Sequence, residues 1–281
     1  MNRMKKFLGF ALILVLSIAL AACGSEKDKS GSDTEKQSKK IVVGASNVPH
    51  AEILEEAKPL LKEKGIELEI ETFQDYVLPN KALNDKELDA NYFQHIPYLE
   101  GQIKENGYDF VNAGGIHIEP IALYSQKYKS IDKLPEGATI IMSSSVADHG
   151  RALSLLEKNG LITLKEGIDK TTATTKDIVE NKKNLKFDAD YEAALLPKIY
   201  ESGEGDAVLI NSNYAIDAGL NPLEDSIAIE DSESPYVNVI AVNKGDENKE
   251  AIKALVEVLH SKEIQDFILK EYKGAVVPAD K

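Results

Sequence analysis

The 281-residue chain contains a single cysteine, Cys23, and this scarcity excludes several kinds of protein. A disulfide framework needs cysteines in pairs, and a thiolate metal cluster needs several of them. The five histidines are scattered along the chain without the spacing of metal ligands. The sequence therefore predicts neither a disulfide-stapled fold nor a metal site.

The familiar catalytic motifs are also missing. The sequence holds no HEXXH pair, no GXSXG nucleophile elbow and no GXXXXGK[ST] phosphate loop. The two glycines in the segment GEGDA do not complete a dinucleotide fingerprint. We therefore expect no enzyme, no cofactor and no catalytic residue.

Basic residues are outnumbered, with 33 Lys and Arg against 47 Asp and Glu, which gives a formal charge of −14. Proteins bind nucleic acid largely by neutralising phosphates with Lys and Arg. The composition thus predicts no nucleic-acid partner, and no attraction of the protein surface to anionic lipid. The hydrophobic content of 43% suffices for an ordinary core.

The N-terminus has the sequence features of an export signal. Arg3, Lys5 and Lys6 precede an uncharged, almost wholly apolar run at residues 7–20, and two small residues then lead to Cys23. This layout is typical of a secretory signal peptide, and a cysteine at the cleavage site resembles a bacterial lipobox. We predict a signal peptide at residues 1–22 and lipidation of Cys23. A retained membrane anchor is the alternative, but the run is shorter than the ~20 residues that span a bilayer.

Lipidation would anchor the mature protein to the outer face of the cell membrane without spanning it. Residues 24–40 read GSEKDKSGSDTEKQSKK and contain no apolar residue. Such a segment cannot bury enough surface to offset the entropy of ordering. We predict a flexible tether at residues 23–40 between the lipid and a folded body.

The body opens with an alternation of strand and helix patterns. The apolar run at residues 41–46 suits a buried strand, residues 50–64 carry apolar residues at helical spacing, and residues 66–73 alternate as a half-exposed strand does. This β-α-β order is typical of an α/β fold with a parallel sheet. We expect strands at residues 110–113, ended by Gly114 and Gly115, and at residues 118–124 and 236–242.

The last two segments bracket the middle third of the chain, and we predict that they are two crossing strands between two lobes. Residues 41–124 and 236–281 would form lobe 1, and residues 125–235 would form lobe 2. Ligands of open α/β sheets bind at the carboxyl ends of strands. Two lobes that face each other would form an interlobe ligand cleft that closes by hinge motion.

Arg151 is the only arginine after the predicted signal peptide. Arg forks onto carboxylates as Lys cannot, and Arg151 follows three serines near the start of a predicted helix, where anions are attracted. It is therefore a candidate ligand-carboxylate partner. A surface ion pair with one of the many acidic residues is the alternative.

Aromatic and amide side chains at strand ends are the other candidates. Aromatic residues at such positions are usually core, and an amide within an apolar strand can be satisfied by neighbouring backbone. The segment DANYFQH, however, mixes two aromatic rings with hydrogen-bonding groups, which is awkward for a pure core. The candidates are Tyr76, Tyr92, Phe93, His95, Asn211 and Asn238.

Several long strings resemble the NlpA-type substrate-binding lipoproteins of methionine ABC importers. They are DYVLPNKAL (75–83), DANYFQHIPYLE (89–100), GLITLKEG (160–167), INSNYAIDAGLNP (210–222), SPYVNVIAV (234–242) and GAVVP (274–278). The resemblance implies a periplasmic-binding-protein-like fold that binds L-methionine and delivers it to an importer permease and its ATPase. It also implies a monomer.

The same resemblance implies a role for each candidate. Arg151 of the GR pair would hold the ligand carboxylate. Asn211 and Asn238 would hold the amino and carboxylate groups. The wall of the thioether pocket would consist of Tyr76, Tyr92, Phe93 and His95, since aromatic rings favour a polarizable sulfur.

The string SSSVADHGR at residues 143–151 departs from the family, in which many relatives carry an NDPTN-like string before the GR pair. This loop adjoins the predicted carboxylate site, so the cargo stays open between L-methionine and D-methionine, a methionine derivative or a methionine-containing dipeptide. A surface adhesin with a vestigial cleft is the alternative from another class.

Overall fold

The computed structural model describes residues 39–232 and 234–279. The predicted signal peptide, the predicted lipidation site Cys23 and the predicted tether up to residue 38 lie outside the described residues, whereas Lys39 and Lys40 belong to the first strand. Across the described ranges, the structure has no helix with both the length and the apolar character needed to span a bilayer.

The strands of the described chain are short, and most of them alternate with helices along the sequence. They are β1 Lys39–Ser46, β2 Ile66–Phe73, β3 Ala90–His95, β4 Phe110–Ile118, β5 Ala122–Tyr124, β6 Thr139–Ser143, β7 Ile162–Leu164, β8 Ile178–Asn181, β9 Lys186–Tyr191, β10 Ala207–Ile210, β11 Ser226–Ile229, β12 Val237–Asn243 and β13 Val277–Pro278. The helices are α1 Glu52–Glu63, α2 Leu78–Asn84, α3 Ile96–Asn106, α4 Val146–Lys158, α5 Leu196–Ser202, α6 Ser212–Asp217, α7 Glu250–Leu259 and α8 Lys262–Tyr272.

Two sheets carry the architecture, which is α/β as predicted. The first has the strand order β13-β4-β12-β3-β1-β2, and the second has the order β11-β5-β10-β6-β9. In the first sheet β1 pairs in parallel with β2 and β3, whereas β12 pairs antiparallel with β3 and β4. The remaining strands, β7 and β8, form a small antiparallel ribbon.

The chain passes between the two sheets at residues 118–122 and 229–237. The segment predicted as one strand over residues 118–124 is instead two strands, with β4 in the first sheet and β5 in the second. Pro120 lies between them, and its missing N–H removes a hydrogen bond that a continuous ladder would need. The predicted lobe boundary at 124/125 assigns β5 to lobe 1. In the structure β5 pairs with β10 of the second sheet, which favours a boundary before β5.

Each sheet has an apolar layer on both faces, because successive side chains of a strand point to opposite sides. In β1, Val43 packs with α1, α7 and α8, whereas Val42 faces the layer that contains residues of α2 and α3. In β10, Leu209 packs with α4 and Val208 packs with α5. Both sheets are therefore covered on both faces, as expected of a doubly wound α/β fold.

The strand predicted to end at Gly114 and Gly115 continues to Ile118 as part of β4. A Cβ built on Gly114 would lie 2.6 Å from Cγ1 of Val256 in α7. The glycine thus allows a helix to approach the strand closely, and it does not break the ladder.

Gly150 plays a similar part in α4, the helix that carries Arg151. A Cβ at Gly150 would lie 2.1 Å from the carbonyl oxygen of Lys170, in the short 3-10 helix Lys170–Thr172. This contact is with backbone, so a side chain cannot simply rotate away. The position of α4 therefore depends on the absence of a side chain at residue 150.

We predict that Gly150→Ala lowers the free energy of unfolding by about 1–3 kcal/mol, as overpacking of a close contact does. Urea unfolding of the soluble body, which is the chain without the predicted signal peptide and tether, measures this free energy. The matched control is Gly101→Ala in α3, where an added Cβ meets nothing within 4 Å. That control should be neutral or stabilising by up to ~1 kcal/mol, because Ala favours helix more than Gly. Equal effects of the two substitutions would contradict this account of α4.

Candidate functional site

A cavity lies where the two sheets face each other. The side chains around it come from the segment after β2, from β3 and α3, from the first crossing, from α4, from the start of α6 and from β12. They are Tyr76, Phe93, Gln94, His95, Tyr98, Glu119, Asp148, Arg151, Asn211, Ser212, Asn213 and Asn238.

The structure brings most of the sequence candidates together at this cavity. The lining includes Tyr76, Phe93, His95, Arg151, Asn211 and Asn238, whose roles toward a ligand stay predictions. Tyr92 is not among the lining residues. It is fully buried in the first sheet, where its hydroxyl hydrogen-bonds Nδ1 of His117. Tyr92 and Phe93 are adjacent on β3 and point to opposite faces of the strand, Tyr92 toward His117 and Phe93 toward the cavity.

His95 is placed by the strand-to-helix junction that ends β3. Its Nδ1 accepts a hydrogen bond from the Tyr98 backbone N–H at 3.1 Å, so the ring caps the start of α3. Pro97 follows in the first turn, where a missing N–H costs little. The cap holds the other ring nitrogen, Nε2, at 3.7 Å from Oδ1 of Asp148.

Aromatic rings form one wall of the cavity. The ring centroids of Tyr76 and Phe93 are 5.9 Å apart, those of Tyr76 and Tyr98 are also 5.9 Å apart, and those of Phe93 and Tyr98 are 6.1 Å apart. His95 adds an edge contact to Tyr98 at 6.2 Å. This wall offers several ring surfaces to an apolar or sulfur-containing group.

Arg151 is only 3% exposed, so it is not the surface arginine of the alternative interpretation, although it does make an ion pair. Its Nε and Nη2 donate to the two carboxylate oxygens of Glu230, and Nη2 also donates to the backbone carbonyl of Glu119 at 2.8 Å. The guanidinium carbon lies 4.4 Å from the ring centre of Tyr236. Because Arg has five N–H donors, these bonds leave the two Nη1 hydrogens for another acceptor.

Asp148 is a second buried charge at the cavity. Its carboxylate accepts hydrogen bonds from the Ser143 hydroxyl at 2.7 Å and from the Asn211 amide at 3.3 Å. Burial raises the pKa of Asp148, but its interactions with His95, Arg151 and Ser143 outweigh burial and hold the pKa below its usual value. An ionised carboxylate therefore occupies the first turn of α4, where the sequence predicted an anion-attracting helix end.

The side-chain oxygen of Asn211 is buried and has no hydrogen-bond partner among the described residues. Buried polar atoms normally have partners, so an orphaned acceptor in a cavity lining marks a position that suits a donor. The Asn211 amide nitrogen is already used by Asp148. The combination of a carboxylate and an open carbonyl oxygen favours a positively charged donor such as an ammonium group.

A second polar network lies beside the cavity, on the first-sheet side. The Glu119 carboxylate is 2.7 Å from Nε2 of His117 and 3.1 Å from Nε2 of His50, and that same His50 nitrogen is 3.1 Å from Oδ1 of Asn238. Burial lowers the pKa of His50 to about 4 and that of His117 to about 3. Burial also raises the pKa of Glu119.

Direct contacts join the two sides around the cavity. The Tyr76 hydroxyl donates to Oδ1 of Asn213 at 2.6 Å, and Asn47 donates to Asp217 at 3.1 Å. These bonds link segments that flank strands of the first sheet to α6 of the second. A wider groove adjoins the cavity and shares Tyr76 and Tyr98 with it.

Comparison with known proteins places this geometry in a family. The family model described as NlpA lipoprotein matches residues 41–280. The chain belongs to the NlpA lipoprotein family.

Individual members of the NlpA lipoprotein family are similar over nearly the whole chain. The methionine-binding lipoprotein MetQ of Bacillus subtilis (strain 168) is 55% identical over 276 residues, which are 98% of each chain. The crystal structure of a putative methionine-binding lipoprotein from Bacillus subtilis has a TM-score of 0.85 at 56% identity, covering 86% of this chain and 99% of that one. A nutrient-binding protein from Burkholderia cenocepacia, solved bound to methionine, has a TM-score of 0.80 at 42% identity, covering 85% and 100%. The fold is thus the two-lobed substrate-binding fold that the sequence predicted.

Sequence reasoning missed several of the residues that shape the site of this NlpA-family chain. Glu119 stands alone between the apolar residues of IHIEPIALY, and a lone acid in an apolar segment is a signal that was available. Asp148 lies inside the string SSSVADHGR, which was singled out for its departure from the family. Glu230 and Tyr236 hold Arg151 from the second crossing, about 80 residues away, and no local pattern indicates that contact.

We predict that the unliganded protein loses stability as the pH falls below about 6.5. His50, His95 and His117 all have lowered pKa values because burial disfavours their charged forms, so the unfolded chain binds more protons on them than the folded one does. Glu119, whose pKa burial raises, acts in the opposite direction, but it is one group against three.

Thermal unfolding at about pH 7 and about pH 5 measures the effect, and the melting temperature should be lower at the acidic pH. A His95→Gln variant should lose less stability than wild type over the same pH interval, since one proton-binding difference is removed. A melting temperature that rises on acidification would show that these histidines are not buried in their neutral forms.

Proposed function

We propose that this protein is a lipid-anchored receptor outside the cell that binds methionine and delivers it to an ABC importer. The observation that carries the proposal is the cavity, which joins an aromatic wall to a buried arginine and an orphaned amide oxygen in a member of the NlpA lipoprotein family. The methionine-binding name of the Bacillus relative and the methionine bound to the Burkholderia protein support this cargo.

The cavity matches the three parts of a methionine zwitterion. The ligand carboxylate accepts hydrogen bonds from Nη1 of Arg151, whose other hydrogens are held by Glu230 and Glu119. The ammonium group donates to Oδ1 of Asn211 and lies near the Asp148 carboxylate. Asn238 adds an amide on the side of the first sheet.

The thioether side chain then contacts the aromatic wall. Tyr76, Phe93, Tyr98 and His95 present ring faces and edges to the cavity, and a sulfur–aromatic contact stabilises by ~0.3–1.5 kcal/mol. Binding without chemistry is sufficient for this role, so the protein acts as a receptor and not as an enzyme.

A cargo longer than methionine is the second candidate. The groove that shares Tyr76 and Tyr98 with the cavity provides room for a residue attached to methionine, which keeps a methionine-containing dipeptide open. D-methionine and methionine derivatives belong to the same class of cargo. A surface adhesin is disfavoured, since its function would not require charged groups buried around an interlobe cavity.

Delivery requires a membrane partner and an anchor. We infer that Cys23 carries the lipid and that residues 23–38 act as the tether, because Lys39 and Lys40 already belong to β1. Residues 39–121 with 236–281 form one lobe and residues 122–235 the other, because β5 pairs with the second sheet. The receptor acts as a monomer and hands its ligand to an importer permease that an ATPase drives.

The cargo is tested by native mass spectrometry of the purified soluble body, followed by calorimetric titration of the ligand-free protein. We expect a co-purifying mass of methionine, and leucine binding weaker than L-methionine by roughly 1–3 kcal/mol, since leucine lacks the sulfur. A dipeptide mass would favour the longer cargo, and equal affinities for leucine and methionine would overturn the methionine assignment.

We predict that Arg151→Ala weakens methionine binding by about 2–5 kcal/mol, because the ligand carboxylate loses its partner in a buried site. Arg151→Lys should recover only part of the loss, since Lys cannot form the fork to Glu230 and bind the ligand at the same time. Calorimetry measures both variants, and circular dichroism verifies folding. Lys158→Ala is the control, as it removes a cation from the exposed end of α4. A loss below threefold for Arg151→Ala, as for the control, would remove Arg151 from the site.

We predict that Cys23→Ala releases the protein from the membrane fraction while methionine affinity stays unchanged, because the lipid and the lobes are separated by the tether. Fractionation and mass spectrometry of the mature N-terminus measure the two effects. Ser25→Ala is the matched control and should stay lipid-modified. If the Cys23→Ala protein is still cleaved and lipidated, the lipobox assignment is wrong.

A further inference from the structure

We propose that His50, His117 and Glu119 form a binding site for a divalent transition-metal ion of the zinc class, beside the ligand cavity. One donor atom from each of these residues lies within 4.8 Å of the donors of the other two. All three side chains are buried, with exposures of 1%, 0% and 6%. The proposal concerns the metal alone and does not depend on the cargo.

The donor set has the chemistry of a zinc site. Two imidazole nitrogens and one carboxylate oxygen are ligands that Zn²⁺ binds at ~2.0–2.2 Å, and ligand atoms around a tetrahedral ion are then about 3.3 Å apart. The Glu119 carboxylate oxygen is now 2.7 Å from Nε2 of His117 and 3.1 Å from Nε2 of His50. Outward shifts of a few tenths of an ångström would bring these two distances to the tetrahedral value, and the two imidazole donors lie within 4.8 Å of each other.

The environment of His117 also fits a metal ligand. Its second ring nitrogen, Nδ1, is hydrogen-bonded to the Tyr92 hydroxyl, so the ring is held with Nε2 toward Glu119. A partner on the non-ligating nitrogen is what orients metal-binding histidines in proteins. The ring of His50 packs edge-on against Tyr92, with centroids 4.7 Å apart, and this contact restricts its orientation as well.

The charge of the Glu119 carboxylate is a further reason to expect a cation at this site. Glu119 is a buried carboxylate. Arg151 binds the backbone carbonyl of Glu119 and not its carboxylate, because the guanidinium pairs with the carboxylate of Glu230. The carboxylate instead faces two imidazoles and accepts a hydrogen bond from the backbone N–H of Asn213, and none of these partners carries a positive charge while the imidazoles are neutral. A buried charge needs a partner to be tolerated. A divalent cation supplies that partner and uses the histidines in their neutral form.

A fourth ligand and an entry path are present. Oδ1 of Asn238 lies 3.1 Å from Nε2 of His50, close enough to complete a four-coordinate site, or a water can take that position. Glu119 and Asn238 both line the ligand cavity, so an ion reaches the cluster through it. The sequence did not indicate this metal site, because His50 and His117 are far apart along the chain.

The first test uses the untagged wild-type soluble body, freed of metal by a chelator and studied without methionine. We expect one Zn²⁺ per chain by calorimetry. Co²⁺ should give the visible absorption of a four-coordinate ion, and Zn²⁺ should displace it. Saturation by neither ion, or a Co²⁺ spectrum of the six-coordinate aqueous type, would overturn the proposal.

Variants then assign the ligands. Glu119→Gln and His117→Gln should each weaken Zn²⁺ binding by more than tenfold, whereas His260→Gln should not change it. Tyr92→Phe removes only the hydroxyl that orients His117 and should weaken binding by about 10–100-fold. Its matched control is Tyr124→Phe, because the buried Tyr124 hydroxyl has no partner among the described residues.

Equal Zn²⁺ affinity of wild type and Glu119→Gln would place any bound metal elsewhere and overturn the proposal. Comparison of Tyr92→Phe with its control Tyr124→Phe still tests the metal site if the His117→Gln variant fails to fold. Since no arm of the experiment contains methionine, failure of the metal site leaves the proposed receptor function untouched, and the reverse also holds.

Discussion

The buried guanidinium of Arg151 is the interaction on which the geometry of the site depends. It joins α4 to both crossings, because it binds the backbone of Glu119 after β4, the carboxylate of Glu230 after β11 and the ring of Tyr236 before β12. A buried ion pair is tolerated only when nearly all its hydrogen bonds are made, so the surrounding segments are held in one arrangement. The same bonds that keep the charge stable also fix the orientation of the guanidinium, and Arg151 lines the cavity.

Around this pair the cavity concentrates buried polar groups. Asp148 is satisfied by Ser143, Asn211 and His95, whereas Asn211 keeps an acceptor without a partner. Burying such groups costs free energy, which the apolar layers on both faces of the two sheets offset. A site of this kind lowers the stability of the free protein. Its buried polar groups all have hydrogen-bond partners only when a ligand of matching charge is bound.

Local patterns predicted much of the fold. The β2 strand was predicted with the bounds that the structure has. The strand predicted at residues 236–242 matches β12 within one residue, and the helical pattern at residues 50–64 contains α1. Elements with weak periodicity, such as α2 and β9, were not predicted. The crossing at Pro120 was predicted as a continuous strand, because apolar residues on both sides look alike whether one sheet or two receive them.

The sequence by itself determined the class of protein, since the long family strings are local features that need no tertiary contacts. It also indicated that Arg151, Asn211 and the aromatic residues near β3 belong to a site. Only the tertiary structure decided that Tyr92 faces away, that Glu230 holds Arg151, and that His50, His117 and Glu119 meet. The physical reason is that pairing between strands and between sheets joins residues distant along the chain, and whether a side chain points into the cavity depends on this pairing.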